Sequence, residues 1–597
     1  MNLNLLAGAA AGAIMITGAG IGVSTVESED AKAAPFLHPL AIARSLCGNG
    51  DDELAKRRQF FVRAATAYAD AMAPSIKPAN ELNPSLGEIS YAITSANADA
   101  QAWFNQGLAY MYNFNHGEAI KSFQKAQEAD PDCAMCYWAE AFAHGPNINA
   151  PMFPEAVAPA WAALQKANAV KAGASAKEQA LIDALNYRYE ESPPADRAKL
   201  DNAFADAMDA VALQFPDDDF IQALAAEANM DSQPWDYWED GGRKPKGRTA
   251  RTVSLLEGVL ARNPQHTASI HLYIHITEAS QDPYRAADHA DRLAELTPGL
   301  GHLIHMPSHT YYRIGRFKQS LAHNITAVAV DQAYVDNADA SILYEFGYFT
   351  HNIHFAMTSA QMAGDGDTAL AMANKLNEKL PIDMAAAAPW VQPIKAAPYY
   401  AMVQFGDPDD VLALVDPGDA LPFLKGAWHY ARGEAFAKKG DAAASMAEAE
   451  AIAAIAAESD LSNLTDGGVP AIDILTIARL TVTARAAAAD GAYDTAIEAM
   501  EEAVALQDAI AYTEPPYWYY PAKQTLAAML VAKGETERGE QLFLEALTES
   551  PNNAFVLYGL SEAYKRQGDK NGAKYAGKLF KDAWLGDKKS PLTLARL

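Results

Sequence analysis

One short window constrains this chain more than any other feature. Trp103, Gly107, Tyr110, Ala119, Phe123, Ala126 and Pro131 stand at positions 4, 8, 11, 20, 24, 27 and 32 of a 34-residue frame that starts at residue 100. The spacing predicts two helices in close contact: small residues at 8, 20 and 27 let the backbones approach, and the proline closes the second helix. Such a unit cannot bury its apolar face alone and needs stacked copies. Copies follow. Gly539, Phe543, Ala546 and Pro551 repeat positions 20, 24, 27 and 32, and Leu557, Tyr564 and Ala573 continue at 4, 11 and 20 of the next frame. Gly433 and Phe436, and Ala496, Met500 and Ala503, mark weaker copies. In the middle, Ala286 and Pro298 set one frame, Ser308, Tyr311, Gly315, Phe317 and Ala327 the next, and Gly364 and Ala369 a third after an insertion of roughly 15 residues.

These residues are the signature of the tetratricopeptide repeat, and the chain resembles that family. The resemblance implies an all-α fold, a right-handed superhelix or α-solenoid, and a concave groove lined by positions 2, 5, 9 and 12 of each first helix. Strand signals are scarce and Ala-rich stretches favour helix. The expected organisation is a signal peptide or anchor over 1–34, a helical cap over 35–100, N-terminal repeats over 101–232, a central His-rich region over 233–385 and C-terminal repeats over 386–597.

Seven of the 14 histidines fall in three short runs: His271 and His275; His302, His305 and His309; His351 and His354. Spacings of three, four and seven place each run on one helix face. The frames put all seven, with Glu278 and Tyr312, at groove positions. Imidazole at i, i+4 chelates a metal ion, and neighbouring first helices pack about 8–10 Å apart, so a site drawing on two adjacent helices is expected. His271, His275, His302, His305 and His309 are the main candidates, with His351 and His354 in support. Copper or zinc is the expected ion and iron the next choice. Asp282, Asp288 and Glu345 are candidates to orient the imidazoles. If the protein is an enzyme, Glu278 or Tyr312 serves as acid or base, but no residue pattern selects a reaction. The alternative is an interaction scaffold whose groove takes a peptide or protein.

The runs His271-Leu-Tyr-Ile-His275, Gly301-His302-Leu-Ile-His305-Met-Pro-Ser-His309, Cys133-Ala-Met-Cys136-Tyr-Trp138, Pro146-Asn-Ile-Asn149 and Pro515 to Pro521 together resemble a group of exported bacterial proteins described only by their repeats. That resemblance implies the fold and leaves the activity open. Cys133 and Cys136 suit a disulfide, with soft-metal binding as the alternative. The aromatic groups at Trp235 to Trp238, Tyr399 and Tyr400, and Tyr517 to Tyr520 suit core packing, or else a stacking wall. A net charge of −28 over 597 residues sets nucleic acid aside. The apolar run from Leu5 to Val23 and the small residues up to Pro35 predict export, to the periplasm or beyond, with membrane attachment only through an uncleaved N-terminus. No phosphate loop, nucleophile elbow or zinc-peptidase motif is present.

Overall fold

The computed structural model describes residues 81–194, 196–586 and 592–597. The candidate leader, most of the cap segment and Cys47 lie outside these residues. The described chain is a succession of helices, interrupted by a two-stranded antiparallel ribbon, Trp238–Glu239 with Lys244–Pro245, and by an isolated bridge between Asn147 and Ala150. No described helix is long and apolar enough to cross a membrane.

The repeat frames coincide with the helix pairs. The window from residue 100 folds as helices Ala98–Tyr112 and His116–Ala129, the second capped by the Asn115 side chain. A Cβ on Gly107 would lie 2.3 Å from the Phe123 ring, which is why position 8 must be small. Central frames begin at helices Thr267–Glu278, Gly301–His305 and Phe349–Ala363, and the C-terminal ones at Ala522–Lys533 and Ala554–Gln567. Pro307 has no N–H to give to the preceding turn, so the second of these first helices is split into Gly301–His305 and Pro307–Arg313. The expected insertion is a lengthened second helix, Phe317–Asn337, followed by a π-helical turn at Tyr344–Tyr348. Cys133 and Cys136 form a disulfide at the start of helix Ala134–Ala143.

Both flanks of the chain touch the central repeats. Tyr344 accepts a hydrogen bond from Asn113 at 2.9 Å and donates to Asp331 at 2.8 Å, and the Leu303 amide donates to Asn113 at 3.2 Å. On the other flank the Leu585 amide donates to the Ala363 carbonyl at 2.8 Å, and Asn552 donates to the Gly315 carbonyl at 3.0 Å. Gly315 has φ +75°, and a Cβ there would sit 2.0 Å from the Pro551 carbonyl oxygen. Gly315→Ala therefore combines left-handed strain with a backbone collision, expected to destabilise by about 1–3 kcal/mol. Urea unfolding checks the loss, and X-ray scattering checks whether the C-terminal arm has swung away from the central repeats. An unchanged midpoint and an unchanged radius of gyration would contradict this account of the closure.

Candidate metal centre

The three central first helices bring six histidines into two adjoining triads. His271 and His275, one turn apart on helix Thr267–Glu278, meet His302 of the next first helix. His305 and His309 of that helix and its continuation meet His351 of helix Phe349–Ala363. Within each triad the candidate ligand nitrogens all lie within 4.8 Å of one another. The middle helix thus faces both ways, His302 backward and His305 and His309 forward. Each triad draws on two neighbouring helices, and ligands from the first and third do not share one.

The contacts within the triads are nitrogen to nitrogen. His302 Nε2 lies 3.1 Å from His271 Nε2, His305 Nε2 lies 2.9 Å from His309 Nε2, and His351 Nε2 lies 3.4 Å from His309 Nε2. Two nitrogens bound tetrahedrally to one zinc-like ion at 2.0–2.1 Å would stand about 3.3 Å apart.

In four of the six histidines another ring nitrogen is held by an acceptor, while His302 Nδ1 is buried without a partner. Glu278 accepts from His275 Nδ1 with one carboxylate oxygen at 3.1 Å and from His309 Nδ1 with the other at 2.6 Å, so one buried carboxylate orients a ligand in each triad. His305 Nδ1 faces Asn324 Oδ1 at 2.6 Å. The Asn324 amide orientation is fixed because its nitrogen donates to the Ser320 carbonyl at 2.7 Å and to Ser308 at 2.8 Å. His305 Nδ1 must therefore carry the hydrogen. His271 makes a backbone hydrogen bond to Tyr112. Buried His275 Nε2 has no hydrogen-bond partner. One nitrogen held by an acceptor and the other left free is the arrangement of metal-ligating histidine.

Electrostatics agree. Burial, then the neighbouring imidazoles, hold His271, His302, His305 and His351 well below the ordinary histidine range, so these rings are neutral donors. Burial also acts to lower His309, but the Glu278 carboxylate outweighs it and raises that ring. Burial works against the Glu278 charge, yet His309 and His275 bring its carboxyl down to about 2.

The histidines are enclosed, so the expected open groove is closed over at this point. Phe114, at φ +55° in the turn of the first described repeat, lies 4.6 Å from the His271 ring and 5.2 Å from that of His302. The π-turn sets Tyr348 5.0 Å from His302, and Trp235 stands edge-on to His275 at 5.4 Å, its indole N–H donating to Asn149 at 3.1 Å. From the far C-terminal side, Tyr512 donates to Glu514 at 2.5 Å and approaches Glu278 at 3.3 Å. What remains is a cavity of 220 Å³ whose walls include His275 and His302 of one triad, His309 and His351 of the other, and Glu514.

Some expected residues lie elsewhere. His354 stands outside both triads, its Nε2 at 2.9 Å from the Tyr519 hydroxyl. Tyr312, whose hydroxyl has no partner, faces Phe355 and a neighbouring cavity with Tyr512 and Glu514 rather than the space over the histidines. Glu278 is held by both triads. The orienting groups are Glu278, Asn324 and the Tyr112 backbone; of the three acids expected in that role, Glu345 instead faces Lys379 at 3.8 Å. Most of the aromatic groups pack in the core, as Tyr237, Tyr400, Trp518 and Tyr519 do, while Trp235 is 41% exposed at the cavity. Glu514, Tyr512, Phe114 and Tyr348 escaped the sequence reading, which singled out only the neighbouring run from Pro515 to Pro521.

Glu514 has a measurable consequence. Burial, then the Glu278 charge, push its carboxyl up to about 8. A carboxyl raised on folding favours the protonated folded state, so stability declines as pH rises from its ordinary 4.5 toward 8. The melting temperature of the metal-free chain should fall between pH 5 and 8, and Glu514→Gln should flatten that slope. Parallel pH profiles for the two proteins would refute the assignment.

The tetratricopeptide-repeat family model matches residues 100–133. No curated protein matches the chain. Among solved structures, the chain is similar to the APC/C hetero-tetramer Cut9-Hcn1, at 12% identity over 78% of this chain and 76% of that one, with a TM-score of 0.29. It is also similar to a human IFIT1 dimer with m7Gppp-AAAA, at 11% identity over 89% and 95%, with a TM-score of 0.28. Scores this low carry no argument about shape or function. The matched model and the helix pair Ala98–Tyr112 with His116–Ala129 that realises it show that this chain carries a tetratricopeptide repeat at residues 100–133, within described residues that are almost entirely helical.

Proposed function

We propose that this protein is exported and holds two transition-metal ions in its central repeats, one on His271, His275 and His302 and one on His305, His309 and His351. The observation that carries the reading is the 2.9 Å approach of His305 Nε2 to His309 Nε2 while both Nδ1 atoms donate elsewhere. Two bare lone pairs at that distance repel unless a cation stands against them. A proton can serve in the metal-free chain; a metal ion binds both. Three neutral imidazoles per ion suit copper or zinc, with iron next. A repeat solenoid also offers surface to a protein or peptide partner, but five of these histidines are buried and His351 is half-buried on the wall of the inner cavity.

Expression of the untagged full chain with its own N-terminus, recovery of the periplasmic fraction and elemental mass spectrometry test both parts. About two ions per chain in that fraction are expected. Metal-free protein that also refuses added copper, zinc and iron would sink the metal reading and leave the scaffold.

A further inference from the structure

The two triads open onto one cavity. Each contributes two histidines to its wall, so a single small molecule there would meet both ions. Resting on the two-ion reading above, we propose that the ions are a copper pair that uses dioxygen to oxidise a small ortho-diphenol bound in this cavity.

The donor set favours copper. All six donors are neutral imidazole; the one carboxylate that touches them, Glu278, lies on the Nδ1 side, away from the facing Nε2 atoms. Three nitrogens satisfy a cuprous ion and leave its cavity side open.

The cavity itself indicates the substrate. Its mouth has Trp235 and Trp390, 41% and 49% exposed, and Tyr348, Leu343 and Ile394 add ring and aliphatic surface. Such walls take a flat aromatic ring of one cycle. Among them one acidic group stands out: Glu514 Oε2 is buried without a partner, while Oε1 is tied to Tyr512. It is placed to accept the proton of a ring hydroxyl turned toward the ions.

The reaction balances with dioxygen as oxidant. Each diphenol loses two electrons, passed to the two coppers, and two protons as both O–H bonds break, leaving an ortho-quinone. Two such turnovers supply four electrons and four protons to one dioxygen, whose O–O bond breaks to give two waters. Glu514 takes one proton per diphenol and returns it to the oxygen being reduced.

The full chain, loaded anaerobically with cuprous ion and then given air and 1,2-dihydroxybenzene, tests this in an oxygen electrode. Expected are two coppers per chain, one dioxygen consumed for every two diphenols, and a rate at least about 100-fold above a His302→Ala/His305→Ala double variant in the same buffer. Glu514→Gln should keep its copper and lose about 100-fold or more in kcat with KM little changed. Trp390→Ala, at the exposed mouth, should raise KM and spare kcat. A chain that binds two coppers and consumes dioxygen no faster than the double variant would overturn the oxidase assignment and leave the two-ion reading standing. So would a chain that retains zinc and refuses copper. Failure to bind any metal would remove both.

Discussion

Glu278→Gln lowers metal affinity at both triads at once. The native carboxylate presents one oxygen to His275 Nδ1 and the other to His309 Nδ1. Glutamine keeps the volume but offers one oxygen and one amide nitrogen. The histidine opposite the oxygen keeps its tautomer and loses the charge that made it a better donor. The histidine opposite the amide must turn its Nδ1 lone pair toward the N–H, which moves its proton to Nε2 and blocks the ligand atom. Loss of such an orienting partner typically lowers affinity 10–100-fold. Chelator competition should therefore shift both binding steps by about that range, although the substituted residue touches neither ion. If only one step moves, the carboxylate serves a single triad; if neither moves, the orienting role is wrong.

Single-ligand variants separate the two ions. His302 and His305 are three residues apart on one helix, yet they face different triads. His302→Ala should leave one ion on the second triad, His305→Ala one ion on the first, and the double variant none, read as chain masses under native conditions. A single shared site would instead fall from one ion to none in either variant. Because bound metal stabilises the folded chain by mass action, each lost ion should also lower the melting temperature, while far-ultraviolet dichroism stays helical. His305→Gln, closer to the lost volume, guards against a variant that fails simply because a buried cavity was opened. Retention of two ions in either single variant would refute the assignment.

Four of the five motifs that carry the resemblance to exported repeat proteins converge in space. Pro146-Asn-Ile-Asn149 delivers the Asn149 oxygen to Trp235, and Pro515 to Pro521 follows directly on Glu514 and supplies the Tyr519 hydroxyl to His354. Segments separated by more than 350 residues thus build one enclosure around the histidines. The Cys133–Cys136 disulfide does not line the cavity; it heads helix Ala134–Ala143 in the core cluster that also holds Phe114 and Tyr348.

Local periodicity determined the fold class, the helix pairs and the face on which the histidines stand. Those properties depend on spacings of three, four and 34 residues, which can be read along the chain. Gly107 must be small because Phe123 is 16 residues away in the same unit, and His271 and His275 share a face because one helical turn separates them. Tertiary structure alone decided that six histidines form two triads, that Glu278 serves both, that His354 turns to Tyr519, and that Glu514 and Tyr512 lie over the centre. Each of these depends on how far one helix is rotated against the next and on how the superhelix brings its C-terminal side back to the middle. Side-chain packing between remote segments sets those quantities, and no repeat spacing encodes it.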